Sequence, residues 1–309
     1  MPIALVSHPA CLGHDTGADH PECAQRLSSV SDRLVASGLA DVLRHVEAPE
    51  ATRRQLLRVH DETHVAGLEA RVPANGRIRL DPDTVVGPGS LDAARRAAGA
   101  VVAAVDLVAR GEASSAFCNV RPPGHHAERG RAMGFCLFNN VAVGAAHALA
   151  VHDFSRVAIV DFDVHHGNGT EDVFATDDRV LFCSTFQHPF YPFTPLLENT
   201  ANRVSVPLAA GDGGEALRAA VTGHWLPALE RYAPDIVMVS AGFDAHVADD
   251  MSQIELSDDD YRWVSERIVE VAAASASGRI VSVLEGGYEL RSLARCAELH
   301  IRTLSGLGR

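Results

Sequence analysis

Three things are short or missing in this sequence. Basic charge is short: 27 basic residues stand against 40 acidic ones, a formal net charge of −13, which excludes nucleic-acid binding through a general basic surface. Long apolar runs are missing, since no apolar segment continues free of charge for about 18 residues, and no segment is expected to span a membrane. The opening "MPIALVSHPA" turns polar within a few residues, unlike the apolar centre of a signal peptide. Paired cysteines are missing as well. Cys11, Cys23, Cys118, Cys136, Cys183 and Cys296 are scattered with no C-x-x-C spacing, which makes a reducing cytoplasm the expected compartment. The acidity permits basic partners, lysine-rich peptides or polyamines, without choosing between them.

What is present is the composition of a globular protein with a large core: 309 residues, 47 % hydrophobic and 22 % charged. Such a chain holds one large domain or at most two. Short runs rich in Val and Ile predict strands at "IALVSH", "SAFCNVRP", "RVAIVDFDV", "RVLFCST", "DIVMVSAGFD" and "RIVSVLEGG". Helical patterns lie between them. The clearest is "SLDAARRAAGAVVAAVDLVARG", with Ser90 as N-cap, Asp92 in the first turn and Gly111 as stop. Pro227, inside "GEALRAAVTGHWLPALERY", should kink or divide its helix. Residues 70–90, rich in Pro and Gly, read as a long surface loop. No repeat, linker or charge block marks a domain boundary. Alternating strands and helices imply a mostly parallel sheet covered on both faces.

Ligands of open α/β sheets bind beyond the carboxyl ends of the strands. Four such ends are unusual here: "RPPGHHAE" from Arg121, "DFDVHHGNG" from Asp161, "SAGFDAH" from Ser240 and "EGGYEL" from Glu285. In extended backbone Asp161, Asp163 and His165 share one face. Buried ionisable groups need compensation, and a metal ion supplies it. Asp163 and His165 are then two ligands, and Asp244 is the best third, completing the three protein ligands of a catalytic zinc site. Asp161 is better placed to orient a histidine or to help hold a monovalent cation. His125 and His126, in a loop fixed by Pro and Gly, offer a general base and an electrostatic partner, with Asp161 and Asn168 available to hold the rings. Tyr288 follows Gly286 and Gly287, where a phenol can donate to an oxyanion. Each motif alone has a plainer reading, as a helix cap, a surface loop or a packed tyrosine. Four together favour a site.

Taken together, "RPPGHHAERGRAMGFCLFNNVAVGAAHAL", "VDFDVHHGNGT", "SAGFDAH" and "LEGGYEL" closely resemble the zinc-dependent histone deacetylase family, nearest to its class II and bacterial deacetylase-like amidohydrolases. "HPACLGHDTGADHPECAQRL" extends the likeness, which runs from about residue 7 to 300. The resemblance implies an arginase-deacetylase α/β fold, with a central eight-stranded parallel sheet and helices on both faces, as a single catalytic domain over residues 1–309. It implies zinc, with ferrous iron an alternative in the cell, held by Asp163, His165 and Asp244. It gives His126 the acid–base role, His125 the electrostatic one, Asp161 and Asn168 the holding of the two rings, and Tyr288 the transition state. Gly134, Phe135, Tyr191 and Gly287 match the substrate tunnel, and Asp83 matches an acidic loop residue that grips the substrate backbone. Potassium is implied as a structural ion near the metal, through Asp161, Asp163, His165 and Ser184.

The implied reaction is hydrolysis of an acyl-amine amide, with acyl-lysine or an acetylated polyamine as substrate. Met251, seven residues after Asp244, stands where polyamine-preferring relatives can carry an acidic gatekeeper, which favours acyl-lysine. Asp249 and Asp250 beside it pull the other way. A two-manganese ureohydrolase would need a D-x-D after "SAGFD", and "DAH" disfavours it. A non-catalytic acyl-lysine binder is disfavoured because every expected catalytic residue is present. Oligomeric state is left open.

Overall fold

The computed structural model of the protein describes residues 2–307. Its strands are β1 (Ala4–Ser7), β2 (Arg44–Glu47), β3 (Ile78–Arg79), β4 (Val85–Val86), β5 (Ser115–Cys118), β6 (Val157–Asp161), β7 (Val180–Gln187), β8 (Arg203–Leu208), β9 (Ile236–Ala241) and β10 (Ile280–Leu284). Eight of them form one sheet in the order β2-β1-β5-β10-β9-β6-β7-β8, every neighbouring pair parallel. The helices are α1 (Gln25–Ala36), α2 (Arg53–Leu56), α3 (Glu62–Arg71), α4 (Ser90–Ala109), α5 (Asn140–Val151), α6 (Asn168–Phe174), α7 (Gly214–Ala220), α8 (Leu226–Tyr232), α9 (Asp258–Ser275) and α10 (Leu290–Ser305).

The central strands are apolar on both sides because helices cover both faces. Every residue of β6, β9 and β10 is buried. α4 packs on α5 and against β1, β5 and β10, while α10 packs on α1 and α9 and against β5. α5 starts where the side chain of Asn139 accepts from the Ala142 N–H at 3.0 Å, a standard N-cap. α4 ends as expected, with Gly111 at φ +69°, a conformation glycine adopts without strain.

Four details differ from the sequence reading. α4 does run from Ser90, but its cap residue is Gly89, and the Ser90 hydroxyl instead accepts from the Gly87 N–H at 2.8 Å and meets His14 Nδ1 at 2.7 Å. Residues 70–90 are not a plain loop: β3 and β4 pair there as an antiparallel hairpin with Val85 and Val86 buried. The other two are strands that periodicity did not reveal, β2 and β8, which form the two edges of the sheet. The expected break before Pro227 is present: α7 and α8 are separated by a π-helical turn at Val221–Trp225, which absorbs the hydrogen bond that proline cannot make.

Candidate active site

The four unusual strand ends belong to β5, β10, β9 and β6, which are consecutive in the sheet. Their carboxyl ends therefore open side by side, and residues more than a hundred positions apart meet there. Each strand hands its chain to a tight, polar loop, and those loops carry the site.

Asp163 and His165 leave β6 and meet Asp244 from the loop after β9. His165 Nδ1 lies 3.1 Å from an oxygen of Asp163 and 3.1 Å from one of Asp244. The ligand atoms of the three residues all fall within 4.8 Å of one another. Their remaining oxygens are spoken for: Asp163 accepts from the Gly286 N–H at 2.8 Å and Asp244 from the Val164 N–H at 3.0 Å. Burial and the charge of Asp163 push the Asp244 carboxyl up to about 6, a repulsion that a divalent cation relieves. Two carboxylates and one imidazole, all buried, fit zinc or a similar ion with a position left open. Gly286 makes the arrangement possible, since a Cβ there would sit 2.1 Å from Asp244 Oδ2 and 2.6 Å from Asp163 Oδ2.

The two adjacent histidines have unequal surroundings. His125 Nδ1 lies 3.0 Å from Asp161 Oδ2, and its Nε2 lies 3.7 Å from Asp163. Burial alone would lower its pKa, but the charges of Asp163 and Asp161 outweigh it and hold the ring up at about 10. His126 Nδ1 lies 2.8 Å from Asn168 Oδ1, and the Asn168 amide donates to Glu128 at 2.8 Å. The amide oxygen can only accept, so His126 carries its proton on Nδ1 and keeps the Nε2 lone pair free. Burial and the neighbouring charges of His125 and His165 hold His126 well below the usual histidine range. One ring is thus held charged and the other neutral, which separates an electrostatic partner from a base.

A cavity of about 270 Å³ opens from this centre, lined by His125, His126 and His165 and by Asp83, Gly134, Phe135, Tyr191, Met251 and Tyr288. Every site residue expected from the sequence to contact substrate is there except Gly287. That glycine, at φ +117°, is turned away, and its carbonyl accepts from Arg26 Nε at 2.6 Å; Gly286 lines the cavity in its place. Phe190, passed over beside Tyr191, is also part of the wall and stacks on His165 at 5.6 Å between ring centres. Gly134 presses on the His126 ring, where a Cβ would come within 2.4 Å of Cδ2. Burial, despite the Arg26 charge, keeps the Tyr288 phenol protonated, its pKa well above the usual range.

Two further groups hold these loops: Arg26, which has no distinct signal in the sequence, and Glu285, which heads the "EGGYEL" strand end but has no role assigned there. Glu285, fully buried, accepts from the Gly124 and His125 N–H groups at 2.6 and 3.2 Å, tying the histidine loop to β10. Arg26, also fully buried, donates to the carbonyls of Glu285 and Gly287, with its guanidinium 4.9 Å from the centre of the Tyr288 ring. Glu22 balances Arg26 at 3.2 Å and Arg121 at 2.6 Å. Burial would raise the Glu22 carboxyl, but Arg121 above all holds it down at about 2. Asp249 sits in the same layer. Its carboxylate accepts from the N–H groups of Met251, Tyr288 and Glu289, so it is a backbone clasp and not a free rim charge.

A family model describing the histone deacetylase domain matches residues 20–304. The chain is 39 % identical to a histone deacetylase-like amidohydrolase of Pseudomonas aeruginosa, over 98 % of this chain and 80 % of that protein. It is 36 % identical to a probable deacetylase of Archaeoglobus fulgidus, over 94 % and 82 %. The crystal structure of the HDA15 HD domain superposes with a TM-score of 0.92 at 32 % identity, covering 99 % of this chain and 88 % of that one.

Proposed function

This chain belongs to the histone deacetylase family and is a hydrolytic deacetylase, and we propose that it removes an acetyl or other short acyl group from the side-chain amine of acyl-lysine in peptides or proteins, with zinc as its metal. The observation that carries this reading is the unequal pair of histidines beside the Asp163, His165 and Asp244 cluster. Those three residues would hold the metal, which when bound polarises the amide carbonyl and acidifies a water.

The chain's own groups then divide the work. His126 takes the water's proton on Nε2 while Asn168 keeps Nδ1 protonated. His125, held charged by its two aspartates, adds a fixed positive field beside it. The protonated Tyr288 donates to the oxyanion as the carbonyl carbon becomes tetrahedral. His126 finally returns its proton to the departing amine, leaving a short carboxylic acid and a free lysine. Phe135, Phe190 and Tyr191 offer an apolar wall for the lysine stem, and Asp83 stands in the same wall to accept a substrate N–H.

Acyl-lysine is favoured over an acetylated polyamine because the rim presents Met251, while Asp249 is fully engaged by backbone donors. The chain contains no lysine, so the substrate comes from another molecule. We assign a potassium ion to the surroundings of Asp161, Asp163, His165 and Ser184. Its support is the buried Ser184 hydroxyl, which sits opposite Asp161 in the sheet and has no hydrogen-bond partner among the described residues. No described helix is long and apolar enough to cross a membrane, and all six cysteines are free thiols, in keeping with a cytoplasmic site of action.

The test compares kcat/KM of the zinc-loaded protein on an acetyl-lysine peptide and on an acetylated spermidine. The expected result is a preference of about tenfold or more for the peptide, about 1.4 kcal/mol of transition-state binding. The opposite preference would replace this reading with an acetylpolyamine amidohydrolase.

A further inference from the structure

A second cavity, of about 240 Å³, lies between α2, α5 and the end of α6. Its apolar surface comes from Ala146, Leu149, Val173 and Phe174, and Arg58 and Arg129 stand in its wall. Neither arginine has a carboxylate within salt-bridge distance among the described residues, whereas Arg179, also in the wall, is matched to Asp177 at 2.7 Å. Asp177 lines the same wall, and its carboxylate, taken up by Arg179, also feels the Arg129 charge; in a chain with 40 acidic residues, two guanidinium groups with no ion-pair partner of their own among the described residues, set beside an apolar floor, call for an explanation.

Arg58 is held in place by a chain of groups with one consistent set of protons. Its Nη1 donates to His147 Nδ1 at 3.1 Å, and arginine can only donate. His147 is therefore protonated on Nε2, which donates to Asp106 Oδ1 at 2.8 Å. Asp106 is fixed in turn by His152 Nε2 at 2.7 Å. The ligand atoms of Asp106, His147 and His152 lie within 4.8 Å of one another, as in a metal site. The Arg58 bond argues against a metal, because it leaves His147 Nε2 with a proton where a ligand needs a lone pair. The cluster instead orients a permanently charged guanidinium whose other N–H groups have no acceptor among the described residues and can meet an anion. Across the groove, Arg129 is pinned through the carbonyls of Asp172 and Val173.

We propose that this groove binds an amphipathic oxyanion, a carboxylate or phosphate head on a short alkyl tail, with the head on Arg58 and Arg129 and the tail on Leu149, Val173 and Phe174. Planar guanidinium groups favour such heads, and the floor gives a bare inorganic anion nothing to gain. The site rests on none of the catalytic assignments, although it adjoins them: Arg129 follows His126 by three residues, and α6 begins at Asn168.

Calorimetric titration of the metal-loaded protein with hexanoate, octanoate, octyl phosphate, inorganic phosphate and octanol tests it. Octanoate or octyl phosphate should bind, with affinity rising about two- to fourfold for each added methylene, and inorganic phosphate and octanol should bind at least tenfold more weakly. Arg58→Gln should weaken octanoate by about tenfold or more, and Leu149→Glu, which places a like charge on the floor, should do so independently if Arg58→Gln fails to fold. The relative affinities of octanoate and octyl phosphate assign the head group. Octanol binding as tightly as octanoate, affinity unchanged in both variants, or octanoate displaced by an acyl-lysine peptide occupying the catalytic cavity would overturn the proposal.

Discussion

His126 Nδ1 and Asn168 Oδ1 are 2.8 Å apart, and the same amide donates to Glu128 at 2.8 Å, so the imidazole is locked with its free lone pair facing the cavity. Replacing Asn168 by Ala leaves the ring in place but frees the tautomer. Turnover should fall by about 10- to 100-fold, the usual cost of losing an outer partner of a reacting or ligating histidine, with KM and metal content nearly unchanged. Steady-state kinetics with metal analysis checks this. A variant that loses its metal in parallel with activity would show that Asn168 acts on the ligand cluster instead.

Tyr288 has its phenol in the cavity wall and its backbone N–H on Asp249. Tyr288→Phe keeps the ring, its packing at 5.9 Å on Phe135 and the backbone clasp, and removes one donor. The expected loss in turnover is about two to three orders of magnitude, with metal still bound and thermal stability little changed. Turnover within a few-fold of the parent protein would place oxyanion stabilisation elsewhere.

The legibility of the sequence followed burial. β6, β9 and β10 announced themselves because helices cover both their faces and every residue but Asp161, at the end of β6, is apolar or small. The edge strands gave no such signal. β2 reads Arg-His-Val-Glu with no residue fully buried, and β8 carries an exposed Pro207 on the same side as a buried Ser205, so neither alternates cleanly. The candidate ligands and the two histidines were readable because polar residues directly after a buried strand have few structural excuses. Arg26 and Glu22 were not, because an arginine on a helix or an acid in a loop looks like surface until the fold closes over it, and Glu285, though directly after β10, gives no sign in the sequence that it faces the histidine loop. Asp249 misled for the same reason: beside Asp250 it reads as free rim charge, and only the three N–H groups it accepts show that it is engaged.

Arg26 should matter as much to stability as to chemistry. It is fully buried, pairs with Glu22 and donates to two carbonyls of the loop that carries Tyr288. Arg26→Met leaves those carbonyls without donors and Glu22 with less compensation, a change that costs about 3–5 kcal/mol in buried ion networks. Urea denaturation measures it. Arg26→Lys keeps the charge but not the planar fork, and should recover only part of the loss; full recovery would mean that charge alone, and not the two carbonyl bonds, fixes the loop.

Removing the metal should destabilise the fold, because the buried carboxylates of Asp163 and Asp244 meet at His165 and the charge of Asp163 raises Asp244. Stripping with a chelator is expected to lower the melting temperature, and adding zinc to about 100 times its dissociation constant should restore about 2.7 kcal/mol. Asp244→Asn should abolish the zinc response while the apo protein melts at or above the parent apo value, since one of two mutually repelling carboxylates has gone. An unchanged zinc response in that variant would remove Asp244 from the ligand set.

Buried neutral histidines outside the cavity wall set the acid limit of stability. His300 meets Ser265 Oγ at 2.7 Å on Nδ1 and Ser282 Oγ at 2.9 Å on Nε2, and burial lowers its pKa to about 3. His60 donates to the Glu128 carbonyl and accepts from the Asn139 N–H, each at 2.9 Å, and burial likewise takes it to about 3. Both pKa values lie below the unfolded value of about 6.5, so the unfolded chain binds more protons. Their stabilising effect is complete above that value and is lost as pH falls towards 3. Each ring should cost about 1.4 kcal/mol per pH unit in that window, and the pair about twice that. His300→Gln, which keeps a donor and an acceptor in place, should flatten the slope of unfolding free energy against pH by one proton's worth between about pH 6 and 4. Since any metal loss on acidification is common to both proteins, the difference between the two slopes isolates His300, and equal slopes would show that the ring does not titrate across folding.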